Sequence, residues 1–177
     1  MLWTIALVLA GVLVALLGYV AMQPSGFSIE RSTTIAAKPE AAFAVVNDFR
    51  SWDDWSPWAK LDPAASAELS GAPSGAGARF RWAGNNKVGA GSMTIVESRP
   101  HDLIRIRLDF EKPMKATNEA RFTFTPEAGG TRVSWRMTGE NKFAGRLVCT
   151  FMNMDKHVGG QFAQGLAAMK VMVEHRA

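Results

Sequence analysis

Two periodicities divide the chain. Between Phe27 and Glu140 apolar and polar residues alternate in short runs, whereas from Met154 to His175 the apolar positions recur every three or four residues. Successive side chains on a strand point to opposite faces, so the first pattern predicts β-strands with one face in water. The second predicts an α-helix with a single apolar stripe, formed by Val158, Phe162, Leu166, Met169 and Val173, with Gln161, Gln164 and Glu174 off it. Gly159, Gly160, Ala163, Gly165, Ala167 and Ala168 make this helix slim, so that another element can approach it closely or volume can remain beside it. A long amphipathic helix that follows a one-faced sheet has its partner in the sheet's apolar face. The expected architecture is a curved sheet crossed by the helix, with a cavity between them.

Within the alternating region, residues 27–36 predict a strand carrying the β-branched Ile29, Thr33 and Ile35. Lys38-Pro39-Glu40 opens a helix, with proline at its first position and an acid in its first turn, and Ala42, Val46 and Phe49 share a face of it. Trp52, Trp55 and Trp58 then fall within seven residues, where Pro57 forbids a regular helix. Residues 63–78, rich in Ala, Ser, Gly and Pro, read as a loop with a short edge strand at Glu68-Leu69-Ser70. Strands follow at residues 79–82, 88–98 and 103–110, then around Phe122 and Val133, separated by turns at Gly84-Asn85-Asn86, Arg99-Pro100-His101-Asp102 and Glu127-Ala128-Gly129-Gly130. Residues 143–153 predict a short helix leading into the last one.

The first 22 residues obey neither period. They carry no charged side chain, and about 21 residues at 1.5 Å rise give roughly 31 Å, the thickness of a bilayer core. Trp3 and Tyr19 stand near the two ends of this segment, where amphipathic rings prefer to sit. A cleaved signal peptide is the rival reading, but it wants a basic start and a small-x-small site, and Tyr19-Val20-Ala21-Met22 supplies neither. The division expected is a transmembrane anchor at 1–22, a linker at 23–26 and one domain at 27–177. Arg31 and Lys38 after the span nudge that domain toward the cytoplasm.

Composition narrows the class. The chain of 177 residues is 47% hydrophobic, enough for one well-buried domain without a disulfide framework, and its one cysteine, Cys149, excludes an intramolecular bridge. The net charge of +4 comes from scattered Lys and Arg, which argues against a nucleic-acid patch. Arg79, Arg81, Arg105, Arg107, Arg121, Arg132 and Arg136 alternate out of the sheet; a solvated outer face is the plain reading and a headgroup-facing surface the sharper one.

Chemistry is sparse. Phosphate-loop, nucleophile-elbow and zinc spacings are absent, and no cofactor or metal is implied. His157 and Asp54 are the candidates for an acid or base, each without a visible partner. Cys149, among Leu147, Val148, Phe151 and Met152, reads as an inert buried thiol. Candidates to line a ligand cavity are Trp55, Trp58, Phe80, Trp82, Met93, Ile95, Trp135, Met137, Phe162, Leu166 and Met169, each of which can equally be plain core. Nine methionines would make adaptable walls.

Several stretches share an order and spacing: Lys38-Pro39-Glu40-Ala41-Ala42-Phe43, Trp55-Ser56-Pro57-Trp58, Phe80-Arg81-Trp82-Ala83-Gly84-Asn85, Val88-Gly89-Ala90-Gly91-Ser92-Met93, Gly130-Thr131-Arg132-Val133-Ser134-Trp135, and Met154-Asp155-Lys156 with Gly159, Phe162, Gly165-Leu166 and Lys170. Together they resemble bacterial members of the START, pollen-allergen and polyketide-cyclase/dehydrase superfamily over residues 27–175. The resemblance implies an α+β helix-grip fold: a bent antiparallel sheet of six or seven strands around a long C-terminal helix, with a hydrophobic cavity between. Its functions range from lipid transfer to polyketide cyclisation, so three readings stay open. They are a membrane-tethered carrier of a small hydrophobic ligand or lipid, a cyclase- or dehydratase-like enzyme, and a partner-binding module with a filled interior.

Overall fold

A computed structural model describes residues 1–176 of the chain. Helix α1 (Leu2–Met22) precedes a body made of β1 (Gly26–Ile35), α2 (Pro39–Asn47), a 3-10 turn at Phe49–Ser51, the four-residue α3 (Trp52–Trp55), β2 (Ser66–Gly71), β3 (Ala78–Ala83), β4 (Ala90–Arg99), β5 (Leu103–Lys112), β6 (Ala116–Glu127), β7 (Gly130–Glu140), α4 (Phe143–Phe151) and α5 (Met154–Arg176). Pro39 stands in the first turn of α2 with Glu40 beside it, as the helix-start signal requires. The predicted strands are all present.

The seven strands form one antiparallel sheet in the order β1-β7-β6-β5-β4-β3-β2. Strands β2 to β7 are a meander, and β1 returns to pair with β7 along its whole length, from Gly26↔Glu140 to Ile35↔Thr131. Register then fixes which residues share a face. Ile29, Met137, Ala120 and Ile106 form one inward row, and Arg31, Trp135, Phe122 and Ile104 the next. Apart from Arg31, the arginines of the strands stand in the outward rows. There Arg136 pairs with Glu30, Arg105 with Glu97, Arg81 with Glu111, Arg107 with Asp109 and Arg132 with Glu127. An outer face whose cations meet carboxylates of the same face is a solvated, internally balanced surface, and little of its positive field is left for an external anion.

Helix α5 lies on the inner face with β1 as its main sheet partner and also packs against α3 and α2. Phe162, Leu166, Met169 and Val173 of the predicted stripe are buried, with Val158 half-buried. Polar contacts hold α5 to β1 at both ends. Arg31 donates from Nη1 to Asp155 Oδ1 at 3.1 Å and from Nη2 to Oδ2 at 2.8 Å. Near the other end Lys170 Nζ donates to the Thr34 carbonyl at 2.8 Å, and the Ala36 amide donates to Glu174 Oε1 at 2.7 Å.

The small residues of α5 divide sharply. A methyl group on Gly159 would land on the Arg31 guanidinium, and one on Gly165 would sit 3.0 Å from Pro57 Cδ and 3.1 Å from Trp135 Cζ3. These two glycines admit side chains of this same chain. Gly160 has nothing within 4 Å of such a methyl, and Ala163 and Ala167 face outward.

Candidate functional site

The Trp52–Trp58 segment folds back beneath α5 because Pro57 ends α3 and the Trp52 indole donates to the Val46 carbonyl at 3.0 Å. Its rings join those of the sheet. Trp135 stacks on Phe162 of α5 with ring centroids 4.1 Å apart and planes 9° apart, and on Phe122 at 4.8 Å on its other side. Trp55 and Trp58 meet Trp135 edge-on at 5.6 and 5.7 Å. The space directly under the middle of α5 is therefore occupied by the protein's own rings.

Of the eleven predicted lining residues, Trp55, Met93, Ile95, Trp135, Met137, Phe162, Leu166 and Met169 are buried in this core. Trp58, Phe80 and Trp82 are half-buried and pack against its margin, Trp58 on Trp135 and Phe162 and the other two on β3. Phe80 and Trp82 stack at 6.3 Å, and Phe110 meets Trp82 edge-on at 5.8 Å. Trp82 is held in place twice: its Nε1 donates to the Val88 carbonyl at 3.1 Å, and its ring lies over Gly91 on the next strand, where a methyl group would come within 2.8 Å of it. Leu108, half-buried, stands between Met93 and Asn118 in the same row as Phe80. The result is a half-exposed apolar wall on β3 and β5, continuous through Phe80 and Phe49 with the buried cluster. Phe110 and Leu108 were legible from the alternation as inward-facing, but nothing local separates a half-covered inward residue from a fully covered one.

Polar atoms interrupt this apolar interior. The Trp55 and Trp135 indole N–H groups, Asn118 Oδ1 and Gln161 Oε1 are buried with no hydrogen-bond partner among the described residues. Asn118 is on the inner face of β6, where a methyl group on Gly139 opposite would strike its Oδ1. Each such group costs about 1–3 kcal/mol if left dry, which makes them the polar features of the interior that packing alone does not account for.

The acid–base candidates lie elsewhere. Asp54 is exposed on α3 and pairs with Arg176 at 3.3 Å, and His157 is exposed in the first turn of α5. The structure brings neither to the ring wall nor to the other. Cys149 is half-buried and not sealed in an apolar environment; its Sγ accepts from Asn141 Nδ2 at 3.4 Å. Asp155 is held below the usual carboxylate range chiefly by hydrogen bonds from Arg31; desolvation opposes this, and the Arg31 charge adds a lesser lowering.

A sheet gripping a C-terminal helix, with a half-open aromatic wall on the inner face, can now be set beside known proteins. A profile of the family described as polyketide cyclase / dehydrase and lipid transport matches residues 26–174. The chain belongs to this family. Comparison with curated protein sequences gives no match. Among solved structures, the polyketide cyclase/dehydrase fold of this chain is similar to Ara h 8.0201, with a TM-score of 0.59 at 16% identity over 84% of this chain and 97% of that one. It is also similar to the di-domain ARO/CYC StfQ from the steffimycin biosynthetic pathway, with a TM-score of 0.65 at 13% identity. That match covers 86% of this chain and 52% of StfQ, so the chain spans about half of the di-domain protein. The Aha1 dimer from Colwellia psychrerythraea gives a TM-score of 0.57 at 18% identity, over 84% and 96% of the two chains. At these identities the likeness establishes the helix-grip fold.

Proposed function

We propose that this chain is a membrane-tethered binding protein for a small hydrophobic molecule of lipid-like character, which seats against the wall of Phe80, Trp82, Leu108 and Phe110. The observation that carries the reading is that wall: large rings on the inner face, half covered, backed by a buried aromatic cluster. Rings left half-wet in a protein of this size are a standing source of binding free energy, at about 25 cal/mol per Å² of apolar surface covered before ordering costs. Asn118 Oδ1, buried without a partner opposite Leu108, suits a ligand with one polar group. The family description, which includes lipid transport, supports the ligand class.

The tether is α1. It has 21 residues, is long and apolar enough to cross a membrane, and is almost wholly exposed along its length. A carrier fixed beside a bilayer draws its ligand from the phase in which that ligand is concentrated.

Native mass spectrometry of the full chain, extracted from its own membrane in mild non-ionic detergent, tests the binding. The wild type should retain an apolar small molecule. The Trp82→Ala and Phe110→Ala variants should lose it, with at least a tenfold weaker retention for about 1.4 kcal/mol of lost contact. Retention unchanged in both variants ends the reading, as does a wild type that repeatedly carries nothing.

A further inference from the structure

Helix α4 is folded inside out for a helix in water. Projected at 100° per residue, Phe143, Ala144, Leu147, Val148 and Phe151 occupy one half of its circumference, with Met152 following just beyond its end, and Gly145, Arg146, Cys149 and Thr150 the other. A surface helix normally turns its apolar half to the body. Here none of its residues is buried, and Phe143, Val148, Phe151 and Met152 are 41%, 37%, 70% and 44% exposed. The polar half faces the protein. Arg146 Nη1 donates to the carbonyls of Ala21 at 3.0 Å and Gln23 at 3.2 Å, and Cys149 accepts from Asn141.

What α4 packs against identifies what covers it. Its neighbour is the C-terminal end of α1, where Val20 is fully buried although nearly all the rest of α1 is exposed. Arg146 satisfies carbonyls that the end of α1 leaves without an intrahelical partner, which holds α4 level with that end. Only Gln23, Pro24 and Ser25 separate α1 from β1, and the Asn141 amide just before α4 donates to the Ser25 carbonyl at 2.7 Å. The register brings Gly26 of β1 and Glu140 of β7 to the same end of the sheet. Lys142 and Lys156 flank the segment. Apolar side chains facing away from the protein, at the level where an apolar helix leaves a bilayer, with cations beside them, have the layout of an interfacial helix.

We propose that α4 lies in the membrane interface, its Phe143–Met152 apolar half buried roughly 5–10 Å into the headgroup and upper acyl region beside the end of α1. This rests on reading α1 as a membrane span. The occupant of the exposed face is the bilayer itself. The contact fixes the orientation of the whole domain, because α4 is tied both to α1 and to the end of the β1–β7 pair.

Site-directed spin labelling of the full chain in nanodiscs of mixed zwitterionic and anionic phospholipid tests it. The Cys149→Ser background receives a nitroxide at one position at a time, through Val12→Cys, Phe151→Cys or Arg121→Cys. Relative accessibility to oxygen and to a water-soluble nickel chelate is then read for each. Position 12 should favour oxygen as a hydrocarbon site does, position 121 should favour nickel, and position 151 should favour oxygen several-fold over position 121. A label at 151 that behaves like 121 while 12 stays in lipid overturns the interfacial helix and leaves the anchor standing. Nickel access at 12 overturns the anchor and the proposal with it. Shielding of 151 from both reagents, with spin–spin broadening, assigns the face to a second copy of the chain and also overturns the proposal.

Discussion

Gly165 and Gly160 are neighbours on one helix with opposite demands. A methyl group at 165 meets Pro57 and Trp135 at 3.0 and 3.1 Å, and Trp135 is sandwiched between Phe162 and Phe122, so it has little room to retreat. Overpacking of about 1–3 kcal/mol then outweighs the helix-propensity gain of up to about 1 kcal/mol, and Gly165→Ala is expected to lower stability by roughly 1 kcal/mol. Gly160→Ala meets nothing and should raise stability by about 0.5–1 kcal/mol. Urea unfolding of the two variants checks the pair; equal effects of the same sign would remove the packing argument. The cluster of small residues was plain in the sequence. Which of them receives a neighbour was not, because Pro57 and Trp135 come from distant parts of the chain.

At the scale of elements, the start of α5 is secured by one charged contact. The Asp155 pKa is lowered in the folded state, mainly by the Arg31 hydrogen bonds. A carboxyl with a lowered folded pKa binds fewer protons than it does unfolded. Its contribution to stability is therefore present above the usual value of about 3.9 and is lost as pH falls below that toward the folded value. The Asp155→Asn variant should be less stable than wild type at pH 6, with the difference shrinking as the pH falls below about 4. Chemical denaturation across that range measures it; a difference that does not change with pH would remove Arg31–Asp155 as an acid-sensitive clasp. Periods of two and of 3.6 located β1 to β7 and α5 to within a few residues. They located α4 as well, but its amphipathicity identified a stripe without its direction, and the usual assumption that an apolar stripe faces inward fails for it.

Across the whole molecule, packing is uneven. Ile35, Val46, Ile95, Ile104, Ile106, Phe122 and Val133 are fully buried, whereas every residue of β2 is exposed and the wall on β3 and β5 is half-covered. Local opening follows buried contacts. Amide hydrogen exchange should find the central strands β5, β6 and β7 protected to near the global unfolding free energy, with β2 exchanging orders of magnitude faster. Equal protection of β2 and β6 would contradict this gradient and with it the picture of an open aromatic flank.

The sequence alone was enough for the layout: a one-faced antiparallel sheet, a long C-terminal helix, an uncharged apolar start, and tryptophans grouped before the loop. These are properties of nearest and next-nearest neighbours along the chain, and side-chain direction follows from backbone period. Only the tertiary structure decided what stands opposite each face. It closed Trp135 between Phe122 and Phe162, left Trp82 and Phe110 half-covered, paired the outer arginines with acids, and turned the apolar half of α4 away from the protein. Such outcomes depend on distances between residues far apart in sequence, which no local period encodes.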